Sequence, residues 1–371
     1  MTEPKPLPGR PDFDDPADIA QLRIMDAAAN RASEGLRVVE DYVRFALDDR
    51  FLTGQLKSLR HELAAVLAGI LTSDRLAARE SLADVGVSTK TVAEFKRDDL
   101  ASVVTASFQR LEQALRSLEE FSKLRDPSAA RRIEQLRYRT YTLERAVDIT
   151  RSSLERLRMA RLYVLIDARP SEREFRALVE SLVSGGTHIV QLREKSLDDR
   201  TLLGRARLLR EITRGTPTFF IMNDRPDLAV IADADGVHVG QEELSAKDAR
   251  TVVGPRLLVG VSTHSIEQAR QAVLDGANYI GVGPTFPGRT KQFQEFPGLD
   301  FVRAVSQEVR LPAFPIGGIT LDNLAEVLAA GATRVCVSAA VCGAADPMMA
   351  ASQFQTRLTP LSPAAGERGR G

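Results

Sequence analysis

At 371 residues the chain is long for one hydrophobic core, so two domains are expected. Lysine plus arginine balances aspartate plus glutamate at 50 each, so no overall field draws nucleic acid or an acidic membrane surface. Hydrophobic residues make up 43%, the only cysteines are Cys336 and Cys342, and no run of about 18 apolar residues exists. A disulfide framework, a cysteine zinc site and a membrane span are excluded by that composition.

Residues 1–16 are polar and proline-rich and lack the apolar stretch of a secretory signal, so a cytoplasmic location is expected. Both this segment and the tail, 359–371, read as disordered ends. From Asp18 to Leu157 apolar residues recur three and four apart, as in Leu36, Val39, Tyr42 and Val43, or Leu111, Leu115, Leu118 and Phe121. The period predicts an all-α domain over 17–157, with Ser81–Thr91 as its one clear irregular segment. Asn30, Glu34, Arg37 and Asp41 share one helix face. Asp84, Lys90 and Arg110 are candidates to complete a phosphate and metal site with them, and an ion-pair network explains the same residues.

After Arg161 short apolar runs alternate with amphipathic helical stretches. The runs are 162–166, 188–192, 218–222, 236–239, 257–261, 279–283, 313–317 and 334–338. Strands apolar on both faces belong to a parallel sheet covered by helices. Eight βα units in about 200 residues predict an α/β domain of the (β/α)8 TIM-barrel type over 161–358. An open, doubly wound sheet shows the same alternation.

In a barrel, chemistry sits at the C-terminal ends of the strands. The second strand ends in Gln191-Leu192-Arg193-Glu194-Lys195, and alternation puts Gln191, Arg193 and Lys195 on one side. Two cations beside an amide suit a pyrophosphate, and a solvated strand end explains them too. Asn223-Asp224 follow the third strand and Glu243 follows the fourth. Carboxylates facing a basic cluster suit Mg²⁺ held between protein and phosphate oxygens, although Asp224 also fits a helix cap. Ser262 ends the fifth strand as a phosphate donor or a cap.

The loop after the sixth strand, Gly283 to about Gly298, is long enough for a lid carrying Lys291, which also reads as an exposed lysine. Gly317-Gly318 after the seventh strand and Ser338-Ala339 after the eighth suit a backbone phosphate cradle. His61, His188, His238 and His264 lack metal-ligand spacing and are expected to be structural.

The segments QLREK, MNDRPDLA, ADGVHVGQEEL, GVSTH, YIGVGPTFPGRTK and GGIT together resemble thiamine-phosphate synthases in order and spacing. That family joins 4-amino-2-methyl-5-pyrimidinylmethyl diphosphate to hydroxyethylthiazole phosphate and releases pyrophosphate. The resemblance implies that Gln191, Arg193, Lys195, Asn223, Ser262 and Lys291 hold the diphosphate substrate, with Arg193, Lys195, Ser262 and Lys291 serving catalysis. Leu192 and Glu194 in the same segment, and Gly288 and Arg289 in the same loop, count as substrate-binding. It implies Mg²⁺ on Asp224 and Glu243, and the thiazole phosphate on Thr290, Gly318 and the backbone at Ser338-Ala339. Glu243 stands where the family usually has aspartate, Gly288 where many members place a hydroxyl, and VSAAV replaces the usual strand-eight ending.

The stretch from Arg23 to Asp41 is similar to the helical domain fused ahead of some thiamine-phosphate synthases, regarded as an alternative hydroxymethylpyrimidine-phosphate kinase. It implies a kinase that makes the diphosphate consumed by the barrel. The alternative is a thiazole tautomerase-like isomerase barrel with a non-catalytic helical assembly module. Partners are then small phosphorylated molecules, without nucleic acid or membrane, and the sequence is compatible with a homo-oligomer.

Overall fold

The computed structural model describes residues 16–70, 97–287 and 297–358. The expectations for the two chain ends (1–15 and 359–371), for Ser81–Thr91 with Asp84 and Lys90, and for Gly288, Arg289, Thr290 and Lys291 lie outside these residues. The chain forms two compact units, Met1–Glu144 and Arg145–Gly371.

In the first unit α1 (Pro16–Tyr42) runs into a π-helical turn, Val43–Leu47, and α2 (Arg50–Ile70) follows. Asp48 ends the turn in the left-handed region, and the buried Asp49 side chain accepts from Leu52 N at 2.8 Å, capping α2. Helix α3 (Leu100–Ser122) starts at a reciprocal capping box between Asp99 and Ser102. It packs against α1 through two apolar stripes, Leu22, Met25, Ala32, Leu36 and Val39 against Phe108, Leu111, Leu115 and Leu118, all buried. Three- and four-residue spacing puts each stripe on one face, and burying it supplies most of the helix's stability. Helix α4 (Pro127–Arg156) starts where Asp126 accepts from Ser128 N at 2.9 Å.

In the second unit eight strands alternate with helices: β1 (Leu162–Ile166), β2 (Ile189–Leu192), β3 (Phe219–Asn223), β4 (Gly236–Val239), β5 (Leu258–Thr263), β6 (Tyr279–Val282), β7 (Ala313–Pro315) and β8 (Val335–Val337). All pairings are parallel, in the order β7-β6-β5-β4-β3-β2-β1-β8, and a parallel bridge from Ile316 to Cys336 joins the two ends. Sequential order with β1 beside β8 is a (β/α)8 barrel and not a doubly wound sheet. The connecting helices are α5 (Glu172–Ser184), α6 (Asp199–Thr213), α7 (Pro226–Ile231), α8 (Ala246–Val253), α9 (Ile266–Asp275), α10 (Gly298–Glu308) and α11 (Leu324–Ala329). The short α12 (Ala339–Cys342) and α13 (Pro347–Leu358) follow β8.

Leu157 and Ala160, just before β1, pack with Tyr163, Ile189, Ile221, Leu258, Tyr279, Phe314 and Cys336. This apolar plug fills the N-terminal end of the barrel. The C-terminal ends of the strands form the other end, the barrel mouth. Among the described residues no helix is long and apolar enough to cross a membrane.

Candidate active site at the barrel mouth

Alternation along β2 decides what its C-terminal segment can offer. Ile189 joins the barrel interior, so Gln191 faces inward with it, and the Gln191 amide donates to Tyr163 Oη at 2.8 Å. Leu192 has the opposite parity, and its side chain is fully buried on the helix-facing side. Only its backbone is available to a ligand. The Glu194 carboxylate folds back to accept from Ser196 N at 2.8 Å and Ser196 Oγ at 2.7 Å, and these bonds lower its pKa. It is committed to its own loop.

Arg193 is exposed at the mouth, its backbone N–H tied to Ile166 O at 2.8 Å. Lys195 reaches across the next two strand ends. Its Nζ lies 2.9 Å from Asp224 Oδ2 and 3.0 Å from Glu243 Oε1. The hydrogen bonds to Asp224 and then Glu243 raise its pKa, so it stays cationic at neutral pH. Asp224 sits in the left-handed region at φ 58°, unusual for a residue with a side chain, and its N–H donates to His238 O at 2.8 Å. A Cβ at Gly240 would collide with the Glu243 carboxylate, so glycine there leaves room for that carboxylate to turn back toward Asp224.

Two carboxylates already clasping an ammonium are a donor set that suits a hard cation. Among the described residues no cluster of three or more protein metal ligands occurs. A cation between Asp224 and Glu243 would therefore draw its remaining oxygens from a phosphorylated ligand and water, the usual coordination of Mg²⁺.

Behind this rim runs a buried hydrogen-bonded chain that sequence reasoning missed. Tyr163 Oη and Tyr279 Oη are 3.1 Å apart, Tyr279 Oη lies 3.3 Å from His238 Nδ1, and His238 Nε2 lies 2.9 Å from Ser262 Oγ. Gln191 is at one end and Ser262 at the other, so two candidate site residues are linked through Tyr163, Tyr279 and the half-buried His238. Burial pushes the His238 pKa down to about 4, which keeps the imidazole neutral, while the nearby Glu243 charge opposes that shift. Gly260 opens the space for this chain, since a Cβ there would overlap the Tyr279 ring. The signal was present in inward parity, as Tyr163, His238, Ser262 and Tyr279 all face the barrel axis. Asn223, 8% exposed, ends β3 beside them.

On the far side of the mouth, Gly317 and Gly318 have φ of 103° and 66°. A Cβ on Gly318 would meet Phe286 Cβ at 2.9 Å, so the turn after β7 needs glycine for both conformation and space. Asn323 holds that turn, donating to Gly318 O at 2.9 Å and accepting from Thr320 N at 2.8 Å. Ser338 and Ala339 are exposed at the start of α12, with Ser338 Oγ donating to Leu165 O at 2.9 Å.

In the helical unit the expected face is divided among local partners. Asn30 donates to Asp26 at 3.4 Å, and Arg37 pairs with Glu40 at 3.9 Å. Glu34 and Arg110 instead line a cavity between α1 and α3.

The family described as thiamine monophosphate synthase matches residues 162–341, and the ThiD2 family matches residues 23–146. A thiamine-phosphate synthase of Rhodopirellula baltica is 46% identical, over 86% of this chain and 88% of its own. One from Synechocystis is 40% identical, over 93% of this chain and 98% of its own. A solved thiamine phosphate pyrophosphorylase from Pyrococcus furiosus is 34% identical, with a TM-score of 0.49, and covers 54% of this chain and 95% of its own.

Proposed function

The chain belongs to the thiamine-phosphate synthase family, and we propose from that premise how its barrel mouth works. It joins 4-amino-2-methyl-5-pyrimidinylmethyl diphosphate to hydroxyethylthiazole phosphate, giving thiamine phosphate and pyrophosphate. The observation that carries this reading is the ammonium of Lys195 held between Asp224 and Glu243, beside an exposed Arg193. A diphosphate leaving group needs cations that do not have to be assembled when it departs.

In this mechanism Gln191 and Asn223 orient the pyrimidine, and Arg193 and Lys195 grip the diphosphate. The bond between the pyrimidine methylene carbon and the diphosphate oxygen breaks, and its electron pair goes to that oxygen. The thiazole nitrogen then uses its lone pair to form the new bond to the methylene carbon. Ser262, fixed by neutral His238, donates to a diphosphate oxygen. Asp224 and Glu243 are the residues that would hold Mg²⁺, whose chemistry is to neutralise charge on the departing group. Gly318 and the backbone at Ser338-Ala339 cradle the thiazole phosphate, and Thr290 and Lys291 complete the two anion sites from the loop after β6.

The helical unit is read as a kinase that phosphorylates the pyrimidine monophosphate to the diphosphate, supported by its match to the ThiD2 family. The barrel is tested by incubating the purified chain with both substrates and Mg²⁺, and measuring pyrophosphate and thiamine phosphate. Equal amounts of the two products are expected. Rearrangement of the thiazole without pyrophosphate release would replace this reading with the isomerase.

A further inference from the structure

The two loops that meet through Lys195 and Asp224 are joined a second time, a few residues further along each. Asp198 caps α6, its side chain accepting from Thr201 N at 3.0 Å, which fixes Asp199 on the first turn of that helix. Arg225 follows Asp224 directly and opens α7, its carbonyl accepting from Ala229 N at 3.0 Å. Its guanidinium crosses from the β3–α7 turn to the β2–α6 connection and donates twice to the Asp199 carboxylate. Nη1 lies 2.5 Å from Oδ1, and Nη2 lies 3.2 Å from Oδ2. Two further bonds go to Asp227, from Nε at 3.0 Å and from Nη2 at 2.7 Å.

A single exposed ion pair contributes little. Here one planar guanidinium serves two carboxylates at once, which an ammonium cannot do, and the Arg225 side chain is only 34% exposed. What needs holding is Asp224. At φ 58° its backbone keeps a conformation that persists only where the surroundings fix it. On one side its N–H is tied to His238 O at 2.8 Å, and on the other stands Arg225. The direct link between the loops, from Lys195 Nζ to Asp224 Oδ2 at 2.9 Å, is one that Lys195 releases in order to grip the diphosphate. The link from Arg225 to Asp199 uses neither Asp224 nor Glu243, so it stays in place through that exchange.

We propose that Arg225 and Asp199 are positioning residues, a clamp that holds the two loops in register while Lys195 changes partners and so keeps Asp224 placed for Mg²⁺. The inference rests on the reading of the barrel mouth as a Mg²⁺ and diphosphate site. Asp227 shares the guanidinium but lies on the same turn as Arg225, so it adds charge without joining the loops. Asp199→Asn and Asp227→Asn therefore each remove one negative charge beside the same guanidinium, and only the first unties the loops.

The test is calorimetric titration of the full chain with inorganic pyrophosphate in the presence of Mg²⁺, with melting midpoints measured alongside. Asp199→Asn and Arg225→Ala should each weaken binding by about tenfold. Asp227→Asn should weaken it by less than about twofold. Asp199→Glu, which keeps a carboxylate on the first turn of α6, should recover much of the loss. Affinity unaltered in the Asp199→Asn chain overturns the clamp. Equal losses in the two Asn variants overturn it as well, because charge alone then accounts for both. So does a lowered melting midpoint that Asp199→Glu restores without restoring affinity, which assigns the pair to stability. A natural chain that fails to bind pyrophosphate with Mg²⁺ overturns the reading of the mouth itself, and the clamp with it.

Discussion

Lys195 connects two carboxylates that would otherwise face each other, so its removal acts twice. Lys195→Ala takes a cation from the diphosphate and leaves Asp224 and Glu243 to repel. A loss of about 100-fold or more in kcat is expected, read from pyrophosphate release, with Arg193→Ala similar. Lys195→Arg keeps the charge and should recover part of the rate. The tyrosine chain behind the rim has a different signature. Tyr279→Phe removes the hydroxyl between Tyr163 and His238 and leaves a buried phenol and imidazole short of a partner. It should cost about 1–3 kcal/mol in a denaturant titration and should lower kcat through the loosened Ser262, with little change in the thiazole phosphate KM. Parity along one strand was enough to nominate Gln191, Arg193 and Lys195, and position at a strand end nominated Ser262. The same parity turns the Leu192 side chain into the helix-facing core, so any contact from that residue comes from its backbone.

Helices α3 and α4 bring Glu112 against Glu144, and burial first, then the hydrogen bond to Glu144, raises the Glu112 pKa from 4.5 to about 7. A carboxyl whose folded pKa exceeds its unfolded one holds a proton the unfolded chain has lost. Its contribution to stability is complete below 4.5 and is lost as pH rises to about 7. The melting midpoint of the helical unit should therefore fall across that interval, and Glu112→Gln should flatten the fall. At the barrel mouth the turn after β7 depends on Gly318. Gly318→Ala combines a positive φ with a clash against Phe286. It should raise the KM for thiazole phosphate several-fold and leave that for the diphosphate nearly unaltered, measured by initial rates with each substrate varied in turn. Helix periods in the first unit were legible because apolar stripes repeat every three to four residues. The functional grouping within them was not. Asn30 and Arg37 share a face with Glu34, yet each finds its partner locally, while Glu34 and Arg110 line one cavity.

For the whole molecule, the proposed kinase role of the helical unit predicts that the chain makes thiamine phosphate from the pyrimidine monophosphate, adenosine triphosphate, Mg²⁺ and thiazole phosphate, without added diphosphate. Phosphorus NMR should show diphosphate substrate accumulating in the Lys195→Ala chain and no such species in the natural one. A chain that consumes diphosphate but never forms it would limit the helical unit to an assembly role.

The sequence by itself determined the two-part plan, the eight strands and the ends at which chemistry collects. Period and burial are local properties, and doubly covered strands announce themselves as unbroken apolar runs. Only the tertiary structure decided between a closed barrel and an open sheet, through the pairing of β1 with β8 and the bridge from Ile316 to Cys336. Closure likewise decided the clasp of Lys195 with Asp224 and Glu243 and the line from Gln191 to Ser262. Those contacts join residues separated by tens to more than a hundred positions, and no local pattern encodes a distance that exists only once the ring of strands has closed.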